Sequence, residues 1–171
     1  MQTEPPARLL LDFEDPAEIA LFHPIDDVVM GGESRSRFEP AGPSVAAFRG
    51  EVSLARGGGF ASVRSEPREW ATSGARSILM RVRGDGKQYK LTLRTDDAFD
   101  GAQYQARFQP PSGDWVELRL PVDGFIATFR GRDLRSAPGL DPARIRTLGL
   151  MISEKQAGPF ELLVDWIAVG S

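Results

Sequence analysis

The one histidine of the chain, His23, stands three residues before an acidic pair, Asp26-Asp27. A histidine beside a carboxylate is half of a nucleophilic apparatus. The other half is a serine on a sharp turn, and no Gly-x-Ser-x-Gly occurs anywhere in the sequence. A lone histidine near a turn reads as structural. Phosphate-cradling loops are missing too: Gly84-Asp85-Gly86-Lys87 breaks off at Tyr89 and lies between strand patterns, not at the start of a helix. Asp96-Asp97-Ala98-Phe99-Asp100-Gly101 imitates a calcium loop, but alanine holds its third position and Arg107 stands where a bidentate glutamate belongs. Asp12, Glu14 and Asp165 are placed to hold a cation between the chain ends, or else to cap turns and pair with arginines. No cofactor site is implied.

Two surfaces have composition suited to binding. Arg81, Arg83, Lys90, Arg94, Arg107 and Arg119 fall on outward strand positions. On adjacent strands they would form a platform whose guanidinium forks suit carboxylate or phosphate, or simply a solvated face. Trp70, Trp115 and Trp166 are candidates for a sugar platform, whereas Tyr89 and Tyr104 fall on apolar strand faces and read as core with a tethered hydroxyl. Arg83-Gly84-Asp85 is also the adhesion tripeptide, and its plainer reading is the flank of a hairpin.

Positioning any of these groups requires strands. Tyr89, Leu91 and Leu93 alternate with Lys90, Thr92 and Arg94, and the same period of two runs through Gln103–Gln109 and Trp115–Leu120. Arg8–Phe13, Ala46–Leu54, Phe60–Arg64, Ser77–Val82, Thr147–Ile152 and Phe160–Ile167 bring the expectation to about nine strands, and short strands divided by turn signals indicate an antiparallel β-sandwich. Gly84-Asp85-Gly86 suits a tight hairpin. Asp141-Pro142 opens a short helix, and Asp15–Phe22 forms another. Residues 1–6 are expected to be disordered and residues 7–171 to form one domain.

The 171 residues contain no cysteine, which removes disulfides and thiolate chemistry and fits a reducing cytoplasm. No stretch approaches the length of a membrane span. A net charge of -3 and a pI near 5.3 argue against a dedicated nucleic-acid binder.

Several segments in order carry a resemblance: Asp27-Val28-Val29-Met30-Gly31-Gly32 with Ser34, Phe48–Leu54, Gly58-Gly59-Phe60-Ala61-Ser62-Val63-Arg64, Arg83–Lys87 with Tyr89, Tyr104–Phe108, Trp115–Pro121, Phe129–Arg132 and Gly149–Phe160. Together they resemble the complex I intermediate-associated protein 30 family. The family pattern has asparagine where this chain has Asp26 and Gly57. The resemblance implies a galactose-binding-like jelly roll and a non-enzymatic protein-binding module, an assembly factor whose partners are complex I subunits or assembly intermediates. A carbohydrate- or small-ligand-binding module is the alternative. The expected binding residues are Asp27, Met30, Gly31, Gly32, Gly58, Gly59, Arg83, Asp85, Arg130, Arg132, Lys155 and Gln156. Asp27, Asp85 and the arginines among them either meet a partner or bridge loops at one end of the sandwich.

Overall fold

A computed structural model of the chain describes residues 7–27, 31–96, 102–130, 132–134 and 136–170. Two antiparallel sheets face one another. The six-stranded sheet runs β3 (Arg35–Pro40), β4 (Ala46–Val52), β13 (Gly158–Gly170), β6 (Ser77–Arg83) and β9 (Trp115–Pro121), with β1 (Arg8–Leu11) beside the C-terminal part of β13. The seven-stranded sheet runs β11 (Arg132–Asp133), β10 (Ile126–Phe129), β8 (Gln103–Phe108), β7 (Tyr89–Arg94), β12 (Thr147–Ile152), β5 (Ala61–Ser65) and β2 (Phe22–Pro24). This is the expected all-β sandwich of jelly-roll type.

Alternation builds the core. Tyr89, Leu91 and Leu93 of β7 are fully buried and face Phe48 of β4 and Phe160 of β13, whose rings lie 6.2 and 6.4 Å from that of Tyr89. Burial pushes the Tyr89 phenol far up, with the charge of Asp85 adding to it, so the hydroxyl stays protonated and donates to Asp85 Oδ1 at 3.0 Å. Tyr104 is tethered likewise, donating to the Pro138 carbonyl at 2.9 Å. Trp70 is also buried, its indole N–H bonded to the Arg146 carbonyl.

Helix is as sparse as expected. Among the described residues one α-helix occurs, α1 (Pro16–Ala20), capped by Asp15, which accepts from Ala17 N. The segment after Asp141 is a single 3-10 turn, Pro142–Arg144, with Asp141 accepting from Ala143 N.

Three expectations need correction. Gly84-Asp85-Gly86 is not a hairpin: β6 and β7 belong to different sheets, so this glycine link carries the chain across the sandwich. The arginine platform divides for the same reason. Arg81, Arg83 and Arg119 lie on the six-stranded sheet, while Lys90, Arg94 and Arg107 lie on the other. The strand count rises to thirteen among the described residues, because β2, β3, β10 and β11 lack an apolar alternation. The chain ends are joined by the β1–β13 backbone ladder. Asp165 pairs with Arg81 at 3.2 Å, Asp12 accepts from Glu14 N, and no cluster among the described residues could hold a metal ion.

Gly50 marks the tightest point of the six-stranded sheet. A Cβ there would overlap the Arg35 carbonyl and crowd Ser36 Cα at 2.8 Å, both backbone atoms of β3. Gly50→Ala is therefore expected to lower stability by about 1–3 kcal/mol, read as a fall in urea midpoint at unchanged m-value.

Candidate functional site

Loops from both sheets gather at one end of the sandwich. Tyr89 pairs with Phe108, Ala61 with Ile152 and Val52 with Gly158 at this end, so Asp27 and the segments 31–34, 53–60, 84–88, 109–113 and 153–158 are neighbours.

Two carboxylates tie them. After β2 the backbone keeps pairing with the β5 side: Ile25 N donates to the Ser62 carbonyl at 2.8 Å and Asp27 N to that of Phe60 at 3.3 Å. The aspartate side chains then fill the acceptor positions on both flanks. Asp27 accepts from Ser34 N at 2.9 Å and Ser34 Oγ at 2.6 Å on one side, and from Gly59 N at 2.7 Å and Phe60 N at 3.3 Å on the other. Asp26 repeats the arrangement two residues along, accepting from Ser36 N at 2.9 Å, Ser36 Oγ at 2.6 Å and Ser62 N at 3.0 Å. Ser62 Oγ closes the loop on the Ile25 carbonyl. Ser34 and Ser36 lead into or belong to β3, and Ser62 belongs to β5, so this double stitch joins the edges of the two sheets.

Burial of Asp27 (2% exposed) by itself would raise its pKa. The Ser34 hydroxyl and the N–H groups of Gly59, Ser34 and Phe60 outweigh that and hold the carboxyl below the usual aspartate value. Gly32 and Gly58 are required here for a steric reason. A side chain on either would overlap the Asp27 carboxylate.

A second tie locks the two crossings between sheets. Gln156 behaves as a short strand toward Gln88, with its Oε1 accepting from Gln88 N at 2.9 Å and its Nε2 donating to the Gln88 carbonyl at 2.7 Å. Asp85 accepts from Lys87 N, Tyr89 Oη and Glu161 N, and Lys87 Nζ donates to the Pro159 carbonyl at 2.7 Å. The turn carrying Gln156 holds Glu154 and Lys155 at φ of 65° and 55°, the left-handed region that side chains disfavour. Glu154 is fixed by Lys90 at 3.1 Å, which holds its carboxyl below the usual range, and by Arg107 at 2.8 Å.

Most of the expected residues therefore converge. Asp27, Gly31, Gly32, Gly58, Gly59, Asp85, Lys155 and Gln156 share this end, and Arg83 lies at the end of β6 opposite Trp115. Asp27, Asp85 and Gln156 use their side-chain acceptors within the fold, whereas Gly31, Arg83 and Lys155 are exposed. Arg130 and Arg132 are elsewhere: Thr128 pairs with Gln103 at the far end of β8, and the β10–β11 turn sits there. Met30 lies outside the described residues. Sequence reasoning missed Asp26, Ser36 and two exposed residues of this end, Leu54, which lies beside Lys155 over Gly59, and Arg56, which pairs with Glu33 at 3.4 Å. The signal for the stitch was the spacing of Asp26-Asp27 against Ser34-Arg35-Ser36. His23 is exposed, with Nε2 3.5 Å from a Glu66 carboxylate oxygen, and makes no triad.

Because its folded pKa is lowered, the Asp27 contribution is fully present above the ordinary aspartate value of 3.8 and is lost as pH falls through the folded value. Asp27→Asn removes this dependence and sets an amide against N–H donors, costing about 2–4 kcal/mol. Urea unfolding of both proteins between about pH 2.5 and about pH 6, roughly one to two units either side of the ordinary aspartate value, should show a gap that narrows in acid. A constant gap would contradict the assignment.

Comparison with known proteins places this architecture. A family model described as Complex I intermediate-associated protein 30 matches residues 11–164. The mitochondrial protein of that name from Neurospora crassa is 24% identical over 151 residues, covering 78% of this chain and 54% of the relative. Its Mus musculus counterpart is 31% identical over 99 residues, covering 54% of this chain and 30% of the relative. The chain thus spans about half or less of the length of these two relatives. Among solved structures, the family 11 carbohydrate-binding module of cellulase Lic26A-Cel5E from Clostridium thermocellum superposes with a TM-score of 0.68 at 12% identity, covering 99% of this chain and 97% of that one. That likeness shows the fold alone. With the family model spanning nearly the whole sandwich, the chain belongs to the complex I intermediate-associated protein 30 family.

Proposed function

We propose that the chain is a non-catalytic protein-binding module that serves assembly of respiratory complex I, and that the stitched loop end is its binding surface. Family membership supports the assembly role, since the relatives carry complex I intermediates in their names. One observation carries the choice of surface. Ties through Asp26, Asp27, Asp85 and Gln156 fix loops of both sheets in place, and among the residues projecting from them are Leu54 at 46% exposure, Lys155 beside it, and Arg56 paired with Glu33 at 3.4 Å. An apolar centre beside a lysine and an exposed ion pair, on a pre-ordered backbone, suits recognition of a partner with little ordering cost. The backbone amides near Gly31 and Gly57 let a partner approach closely. Among the described residues no helix is long and apolar enough to cross a membrane. A partner in a membrane complex would on this reading be met from outside the bilayer, and the cytoplasm is the compartment proposed.

A second reading has one observation in its favour. Trp115 and Trp166 lie half-buried on the outer face of the six-stranded sheet, beside the Arg81–Asp165 pair. The Arg81 guanidinium sits 5.4 Å from the centroid of the Trp115 ring, close to where a sugar would stack. The protein-binding reading therefore expects tryptophan fluorescence to stay unchanged under millimolar β-glucan oligosaccharide.

The test is a paired charge and polarity reversal, Leu54→Asp with Lys155→Glu, in a tagged chain returned to its host. Both sites are exposed, so thermal stability should hold within about 0.5 kcal/mol. Binding should weaken by roughly 2 kcal/mol or more, about thirtyfold, seen as loss of complex I subunits from the purified material. Undiminished recovery of those subunits would remove the loop end as the surface.

A further inference from the structure

We infer that the outer edge of β9 is a strand-addition site, taking an extended segment of alternating apolar and polar residues with a cation facing Glu117. This goes beyond the loop-end reading and uses a different side of the molecule.

The ladder with β6 sets which way the backbone groups of β9 point. Val122 N donates to the Arg76 carbonyl at 2.9 Å, in register with the β6–β9 ladder. In an antiparallel pair the residues that exchange bonds alternate, so Ile78–Leu120, Met80–Leu118 and Val82–Val116 are the bonded pairs. The other side of β6 agrees: Asp85 accepts from Glu161 N, which places Arg83 and Leu163 as a bonded pair toward β13. Trp115 and Glu117 consequently aim their N–H and C=O groups off the sheet, and no described group bonds to them.

The opposite edge of the same sheet shows what a closed edge looks like. The off-sheet N–H groups of Ser34 and Ser36 point away from β4 and are taken up by Asp27 and Asp26. The edge strand β3 is further guarded by Arg35, Arg37, Glu39 and a terminal proline, Pro40. β2 and β11 are guarded by brevity, at 3 and 2 residues. β9 has 7 residues, and proline appears only at its last position. Its inward side chains are also incompletely covered. Val116 and Leu118 face the core yet remain half-buried, whereas Met80 and Val82, their partners on β6, are fully buried.

An added antiparallel strand would meet four backbone groups, cover Val116 and Leu118 with its inward residues, and lie beside Trp115 on the outer face. The exposed carboxylates of Glu117 and Asp114 select the cation.

The probe is acetyl-Thr-Val-Lys-Val-Thr-Gly-amide, which sets lysine opposite Glu117 and valines beside Leu118 and Val116. Hydrogen exchange followed by NMR on the whole chain should show the Trp115 and Glu117 amides slowed roughly tenfold at millimolar peptide. N-methylation of the lysine and the second threonine, whose amides face β9, should abolish the effect, and N-methylation of the two valines should leave it. Glu117→Pro removes only an off-sheet N–H, so the chain should stay folded and lose the protection. Unchanged Trp115 and Glu117 amides at saturating peptide, or equal effects of the two methylation patterns, would overturn the proposal. So would a dimer that protects the same amides and resists competition by peptide, since β9 would then be closed by a second copy.

Discussion

Two consecutive carboxylates placed between the edges of two sheets are the constraint on which the rest of this molecule depends. Asp26 and Asp27 together accept seven hydrogen bonds, four from the β3 side through Ser34 and Ser36 and three from the β5 side through Gly59, Phe60 and Ser62. The sheets of a sandwich meet through apolar faces, and that contact sets their spacing without fixing their edges. Charge-assisted bonds to named N–H groups do fix them, since each has a direction and each leaves a costly unpaired donor if broken.

From that stitch the geometry of the loop end follows. Gly32 and Gly58 press against the Asp27 carboxylate, Lys155 packs over Gly59, and the Gln156–Gln88 amide pairing joins the two crossings between sheets. Exposed side chains there stand on backbone held from both sheets. The other long side of the sandwich is built differently, with β9 ending the six-stranded sheet and no comparable carboxylates lying across its edge among the described residues. One side is sealed by side chains, and the other ends in a strand edge where no described group takes up the outward backbone groups of Trp115 and Glu117.

Strands with strict alternation could be read directly from the sequence. β7, β8 and β9 carry apolar residues at every second position because one face of each packs on the core. β3 could not be read so, since Arg35-Ser-Arg37-Phe-Glu39-Pro40 is an edge strand whose composition answers to solvent and to edge protection. Periodicity reports which side of a strand faces the core, and it is silent on which sheet the strand joins. Arg81 and Lys90 share an outward phase yet lie on opposite faces of the sandwich for that reason. The glycine link at residues 84–86 hid the same fact, because a tight hairpin and a crossing between sheets call on the same turn residues. The loop end was partly legible through its glycines. Asp27 and Asp85 stood out by type, but only the fold shows that their oxygens are turned inward.

Native-state hydrogen exchange at the amides of Ser34, Ser36, Gly59 and Ser62, followed through increasing denaturant, tests the stitch most directly. If the carboxylates bind the sheet edges into the cooperative core, these four amides should exchange only through global unfolding, with the same denaturant dependence as Leu91 and Leu150 at its centre. Exchange through a shallow, denaturant-independent opening, well above the rate of those core amides, would show the stitch to be a local ornament on a sandwich that holds its edges without it.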